Sequence, residues 1–312
     1  MDLKNKIVSV IGGSNMDIVG SPKHKLIKND SNIGTVKLSS GGVGRNIAEN
    51  CALLGLTTRL FSVVGQDRFG DQLIEDTSLS GVDMSYVDIV DAPTGVYLAI
   101  LDEDKDMDTA INSMEIMSYL NENYLKKHRD ALNDSTVIFL DANVSIDVLK
   151  YIKDNFNSKK LFLDTVSTVK TKLISDYIGM FHTIKPNRIE AETLTGVRIE
   201  NENDLKRAAY LLHEKGVKNI FITLGSEGVF FSSDKGLSGS LKSSEFVPVN
   251  ATGAGDAFQA GLVYGELSGM SLRDTAKFAM GAAIMAMSSP DTINKDINAE
   301  NIKNYIKGLE EY

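Results

Sequence analysis

The sequence predicts an α/β fold: a mostly parallel central sheet covered by helices on both faces, with a small β-sheet lid at its rim. Three observations carry this. Short β-branched runs alternate with helical patterns along most of the chain. Two glycine-rich turns, in "GGVGRN" and "NATGAGDAF", each open directly into a helix. Two stretches break the alternation and read as strands of a separate sheet.

In chain order, "KIVSVIGG" is a buried strand running into a Gly-Gly turn. Residues 15–38 then interrupt the strand–helix rhythm. "GGVGRNIAENCALLGL" is a glycine turn and a helix, with Ile47, Cys51 and Leu54 at helical spacing and Gly55 as its stop. "TTRLFSVVG" is the next strand. Residues 93–112, "PTGVYLAILDEDKDMDTAIN", alternate as a hairpin with Asp102–Asp106 at the turn. "STVIFLD", "KLFLD", "FHTIKPN", "NIFITLG" and "GVFFSS" follow as strands, with helices such as "DLKRAAYLLHEKG" between them. The core domain is therefore read as residues 1–14, 39–92 and 113–312, and the lid as two insertions, 15–38 and 93–112. The sequence shows no internal repeat, low-complexity tract or Pro/Gly/Ser linker.

Composition narrows the function. The 312 residues carry a formal net charge of −9, which argues against a nucleic-acid partner. A single cysteine, Cys51, rules out an intrachain disulfide and fits a reducing compartment. The apolar run Ile7–Ile11 is too short for a signal peptide, and Phe278–Met287 is about half of the ~20 residues a membrane span needs. The expectation is a cytoplasmic protein without a membrane partner. His24, His128, His182 and His213 lack metal-ligand spacing.

The stretch "NATGAGDAF" places Gly253, Ala254 and Gly255 directly before Asp256 and a helix. Backbone N–H groups at a helix start lack partners and carry positive partial charge, and small residues let an anion reach them. A phosphate is the expected occupant, with Asp256 accepting a proton from an attacking hydroxyl. The helix terminus should keep Asp256 ionised at neutral pH, a weak base that mainly orients the hydroxyl. Locally, the same string also reads as a capped tight turn.

Asn15 and Asp17 follow the first strand, at the end of the sheet where open α/β folds bind ligands. An amide and a carboxylate suit two sugar hydroxyls; an Asx turn is the alternative. Gly41, Gly42 and Gly44 let substrate approach the backbone, and Asn46 can donate to a sugar oxygen.

"NATGAGDAF" looks like the C-terminal signature of the ribokinase-like (PfkB) carbohydrate kinases, and "GGVGRNIAENCALLG" resembles their N-terminal one. "KPNRIEAETLTG" and "TLGSEGV" resemble that family's Asn-x-x-Glu motif and nucleotide-binding turn, in the family's order. The resemblance implies a ribokinase-like three-layer α/β/α sandwich that uses ATP and Mg2+ to phosphorylate a hydroxymethyl group of a sugar or nucleoside. It implies that Asn187 and Glu190 position Mg2+ through water, that Thr223 and Gly225 meet ATP, and that Lys185 belongs to the substrate site. It implies that Ser31 and Asn112, in the lid, contact a base ring. It also implies a homodimer formed through the lids. Many members bind a monovalent cation such as K+ beside an aspartate six residues before the catalytic one; here Asn250 stands there, which leaves that site open. "DSNIGTVKLSSGGVGRN", "AINSMEI", "FHTIKPNRIEAETLTG" and "KFAMGAA" are similar to members acting on pseudouridine, with uridine, ribose or another nucleoside as alternative acceptors. A non-catalytic nucleoside sensor is the remaining reading, and the intact Asp256 speaks against it. Neither a P-loop nor G-x-G-x-x-G spacing is present.

Overall fold

The structure is a computed structural model that describes residue 3, residues 5–243 and residues 246–310, with backbone only at 308–310. Its first half comprises β1 (Ile7–Ile11), β2 (Asn15–Pro22), β3 (Gly34–Gly41), α1 (Val43–Leu53), β4 (Thr57–Gly65), α2 (Arg68–Leu79), β5 (Val87–Val90), β6 (Val96–Leu101) and β7 (Met107–Ser113). Next come α3 (Glu122–Lys127), α4 (Arg129–Asn133), β8 (Val137–Asp141), α5 (Ile146–Phe156), β9 (Lys160–Asp164), α6 (Thr168–Ile174) and β10 (Thr183–Ile184). The remainder is α7 (Arg188–Thr195), α8 (Glu202–Glu214), β11 (Asn219–Thr223), β12 (Val229–Ser233), β13 (Ser238–Leu241), α9 (Ala254–Ser268), α10 (Leu272–Met287) and α11 (Ala299–Glu310).

The large sheet has the order β13-β12-β11-β10-β9-β8-β1-β4-β5. Strands β11 through β5 in that order run parallel, and β12 and β13 add an antiparallel edge. Because side chains alternate across a strand, each parallel strand feeds two cores. Val137 and Phe139 of β8 join one core with α1, α9 and α10, while Ile138 and Leu140 join the other with α5 and α8. The mostly parallel, two-faced sheet expected from the sequence is therefore present. "FHTIKPN" yields only the two-residue strand β10, and β5 and β13 were not read from the sequence at all.

From β1 the chain steps to β4 and β5 on one side, and later to β8 on the other. This reversal of strand order opens a crevice at the carboxyl ends of β1 and β8, where such folds bind ligands. The second sheet, β3-β2-β6-β7, is fed from there: β2 begins four residues after β1 ends. Strand β3 runs through Gly41, past the boundary at 38 drawn from the sequence, because its ladder to β2 continues to Asn15↔Gly41. The acidic turn at Asp102–Asp106 is self-capped: Asp102 Oδ1 accepts from the amides of Asp104 and Asp106, both at 2.9 Å.

Candidate active site

Glycine in the left-handed region shapes the turn into α9. Gly253, with φ of 82°, caps α9, and a Cβ there would lie 2.2 Å from the Thr292 carbonyl oxygen. Only glycine makes that turn without strain. The Ala254 amide donates weakly to Ala251 O at 3.4 Å, so the Gly255 and Asp256 amides are the ones directed out of the helix end. Gly255 is exposed, and a Cβ on it would lie 3.7 Å from Lys185 Nζ. Lys185 is 8% exposed and its ammonium is 3.8 Å from Asp164 Oδ2. A buried cation, two free amides and a helix N-terminus thus converge on one corner.

Asp256 projects from the first turn of α9 and accepts from Asn46 Nδ2 at 2.9 Å. The distant glycine-turn helix and the Gly-Ala-Gly helix therefore meet at the residues picked out from the sequence. The expected ionisation of Asp256 requires correction. Burial, then the charge of Asp164, then that of Asp141, push its carboxyl up to about 7, against the lowering effects of Asn46 and Lys185. Burial first, and the two neighbouring carboxylates after it, thus favour the protonated form and hold the Asp256 carboxyl near neutral pH rather than fully ionised.

Asp141 and Asp164 were missed. They end the adjacent parallel strands β8 and β9 in register. Asp141 is fully buried, accepts from the Gly13 and Asn143 amides at 2.8 Å, and has its carboxyl raised by burial. Asp164 accepts from Gln259 Nε2 at 2.9 Å, which ties β9 to α9 one turn beyond Asp256. The repeated endings "IFLD" and "LFLD" were the available signal, since both place an acid at the carboxyl end of a sheet strand.

Asn15 and Asp17 are joined directly, Asn15 Nδ2 donating to Asp17 Oδ1 at 2.5 Å. Burial raises the Asp17 carboxyl, opposed by this bond and by Arg45. A Cβ on Gly41 would lie 2.2 Å from Asp17 Oδ2, so glycine is what leaves room for the carboxylate. Gly42 follows at the start of α1, and Asn46 one turn later. Asn112 stands opposite Tyr97 of β6, which stands opposite Asp17, so Asn112 shares Asp17's face of the small sheet. Ser31 lies in the exposed connection between β2 and β3, where its amide donates to Asp30 Oδ1 at 2.7 Å.

Asn187 and Glu190 form a capping box on α7: Asn187 Oδ1 accepts from the Glu190 amide, and Glu190 Oε2 accepts from the Asn187 amide, both at 2.9 Å. Glu190 is 5% exposed, so it is not a solvated helix residue. Its Oε2 also accepts from Thr165 at 2.6 Å, so both bonds fall on one oxygen. Thr223, at the end of β11, donates its amide to Pro186 O at 3.0 Å and so sits against this motif, with Gly225 two residues on. Asn250 ties two loops together: its Oδ1 accepts from the Thr252 amide at 2.9 Å, and its Nδ2 donates to Pro290 O at 3.2 Å. Among the described residues no group of His, Cys, Asp or Glu is arranged to hold a metal ion. Cys51 is a buried free thiol in the core, and no described helix is long and apolar enough to cross a membrane.

A mostly parallel sheet with its crevice at the strand-order reversal, and a glycine-opened helix N-terminus with a carboxylate beside it, are features of a phosphotransferase with an alcohol acceptor. The chain belongs to the pfkB family of carbohydrate kinases, whose model matches residues 5–299. It is 37% identical to the pseudouridine kinase of Escherichia coli K12 over 307 residues, covering 97% of each chain. It is 28% identical to the guanosine-inosine kinase of Exiguobacterium acetylicum over 92% of this chain and 96% of that one. Among solved structures, a carbohydrate kinase from Agrobacterium tumefaciens superimposes with a TM-score of 0.85 at 25% identity, covering 97% of both chains.

Proposed function

We propose that the protein is an ATP- and Mg2+-dependent kinase that phosphorylates the 5′-hydroxyl of pseudouridine in the cytoplasm, giving pseudouridine 5′-phosphate and ADP. The observation that carries the reading is the Asn46–Asp256 contact, which joins the glycine-turn helix to the anion nest. The Asn15–Asp17 pair holds two ribose hydroxyls, with Gly41, Gly42 and Asn46 lining the approach. Asp256 accepts the 5′-hydroxyl proton as that oxygen attacks the terminal phosphoryl group in line. The Gly253–Asp256 backbone and Lys185 steady the charge on the migrating group. Thr223 and Gly225 border the nucleotide. Asn112, with Ser31 in the same lid, faces the base ring, and lid closure excludes water.

The fit to the two absent groups rests on chemistry present in the corner. The Gly255 cradle beside a buried ammonium suits a triphosphate. Asn187 and Glu190, a sparse oxygen set with Glu190 Oε2 already engaged, suit a hydrated Mg2+. When bound, that ion neutralises charge between neighbouring phosphates. Asn250 and the Pro290 carbonyl are already bonded to each other, so no step is assigned to a monovalent cation.

Side-by-side kcat/KM measurements on pseudouridine, uridine and ribose test the substrate. Pseudouridine is expected to lead by at least about tenfold, which takes about 1.4 kcal/mol of differential transition-state binding. A ribose preference would remove the lid roles of Ser31 and Asn112.

The small sheet supports a homodimer. Leu38, Ile18, Leu98 and Ile111 form one cross-strand row on the face opposite Asp17. Leu38 is 53% and Ile111 63% exposed, and Val36, on the same face, is 67% exposed. Such a patch marks an interaction surface. Replacing Leu38 and Ile111 together by Asp is expected to give a monomer by sizing chromatography with light scattering. A wild-type monomer at micromolar concentration would count against the dimer.

A further inference from the structure

Arg45 lies beside Asn46 in the glycine-turn helix, and the phosphotransfer chemistry above gives it no task. It is 3% exposed, and its guanidinium is held on every side. Nε donates to Thr77 Oγ1 at 2.9 Å. One terminal nitrogen donates to Ser40 O at 2.8 Å and to Asn46 Oδ1 at 2.9 Å. The other donates to Glu49 Oε2, four residues along α1. Glu49 is fully buried and its other oxygen accepts from Lys295 and from Ser80, the latter at 2.6 Å. The fork is therefore anchored to the end of a lid strand, to α2 and, through Glu49, to the segment before α11.

We propose that Arg45 is a positioning residue for phosphoryl transfer: it captures the Asn46 amide oxygen and so turns the amide N–H toward Asp256. The reasoning is one of orientation. An asparagine amide has an acceptor end and a donor end that are nearly identical in shape. Facing Asp256 with its oxygen, it would repel the carboxylate; facing it with Nδ2, it stabilises the ionised base. Arg45 is a donor only, so its contact with Asn46 admits a single orientation. A free guanidinium in water would not suffice, because the preference must be held in a buried corner where an unmade bond is costly. Asp256 also faces Asp141 and Asp164 at the ends of β8 and β9, and Lys185 after β10. Those groups are unchanged in the variants below.

The inference rests on Asp256 as the proton acceptor, but its test does not need turnover. The carboxyl carbon of Asp256, labelled with 13C and identified by its loss in Asp256→Asn, is titrated by NMR in the ligand-free enzyme. Asn46→Ala is expected to raise the midpoint by about one pH unit, the size of one hydrogen bond to a charged group. Arg45→Lys keeps the charge and loses the fork; it is expected to raise the midpoint comparably, and the double variant to move it no further. With pseudouridine and ATP, the acid limb of kcat/KM should move in parallel. A folded Arg45→Lys that titrates like the wild type, an Asn46→Ala that does not shift, or shifts that add in the double variant would each overturn the proposal. Should Arg45→Lys fail to fold, Glu49→Asp, which keeps the charge but shortens the reach to the same guanidinium, must raise the midpoint, and no movement overturns it equally. An enzyme that shows the expected titrations yet phosphorylates no acceptor would instead sink the kinase reading.

Discussion

Asp256→Asn is expected to lower kcat by about 10²–10⁴-fold while making the protein more stable at neutral pH. The substitution keeps the shape of the side chain and removes the proton acceptor. The gain in stability follows from the same burial and neighbouring carboxylates that raise the Asp256 carboxyl. Burial and the charges of Asp164 and Asp141 raise the folded carboxyl to about 7, whereas in the unfolded chain it titrates at about 3.9. The folded state therefore holds this proton more tightly than the unfolded state does. Its stabilising contribution is complete below the unfolded value and is lost as pH rises through about 7. Above that, the native protein carries a charge that its surroundings penalise by at most about 4 kcal/mol. Asparagine removes that cost, so the variant's Tm should exceed wild type at pH 8, and the two should converge near pH 4. In the wild type, kcat/KM should fall about tenfold per pH unit below the midpoint. Thermal melts at the two pH values and a pH–rate profile check both halves. Wild-type-like turnover by the variant would end the assignment of Asp256.

Lys185→Met is expected to lower kcat/KM for ATP by about 10²–10³-fold, the loss typical when one preorganised charge partner leaves a developing anion. Methionine fills similar volume without the charge. Lys185 is buried, 3.8 Å from Asp164 and beside the open face of Gly255, so its ammonium is fixed where a terminal phosphate would rest. It is also one of the influences that hold the Asp256 carboxyl down. The acid limb of the pH–rate profile should therefore move to higher pH in the variant. Steady-state kinetics at varied ATP, repeated across pH, separates the two effects. If Lys185 served the fold alone, Tm would drop while both kinetic quantities stayed at their wild-type values.

Much of the site was legible because its parts are local. Gly253 is needed by a turn of the left-handed hand, and Gly41 by the carboxylate opposite it; either requirement shows as a glycine beside a polar residue. The helices after "GGVG" and "GAGD" announced themselves by apolar spacing, and the hairpin at 102–106 by alternation. Arg45 and Glu49 were harder to interpret. At i and i+4 on a helix they look like an exposed ion pair, yet α2 and the segment at Lys295 close over them. Asn187 and Glu190 carried a capping-box pattern that their family motif obscured.

Taken by itself, the amino-acid sequence determined the alternation of strands and helices, the two glycine turns, the second sheet and the membership of the kinase family. The first three depend on residues that are neighbours along the chain, where periodicity and backbone freedom act directly; the last rests on the resemblance of whole motifs in order along the chain. The tertiary structure alone decided the carboxylates that gather around Asp256, the burial of Arg45 and the facing of Lys185 onto Gly255. Those depend on Coulomb interactions and desolvation among groups that meet only when β8, β9, α1 and α9 pack together, and no spacing along the chain encodes such distances.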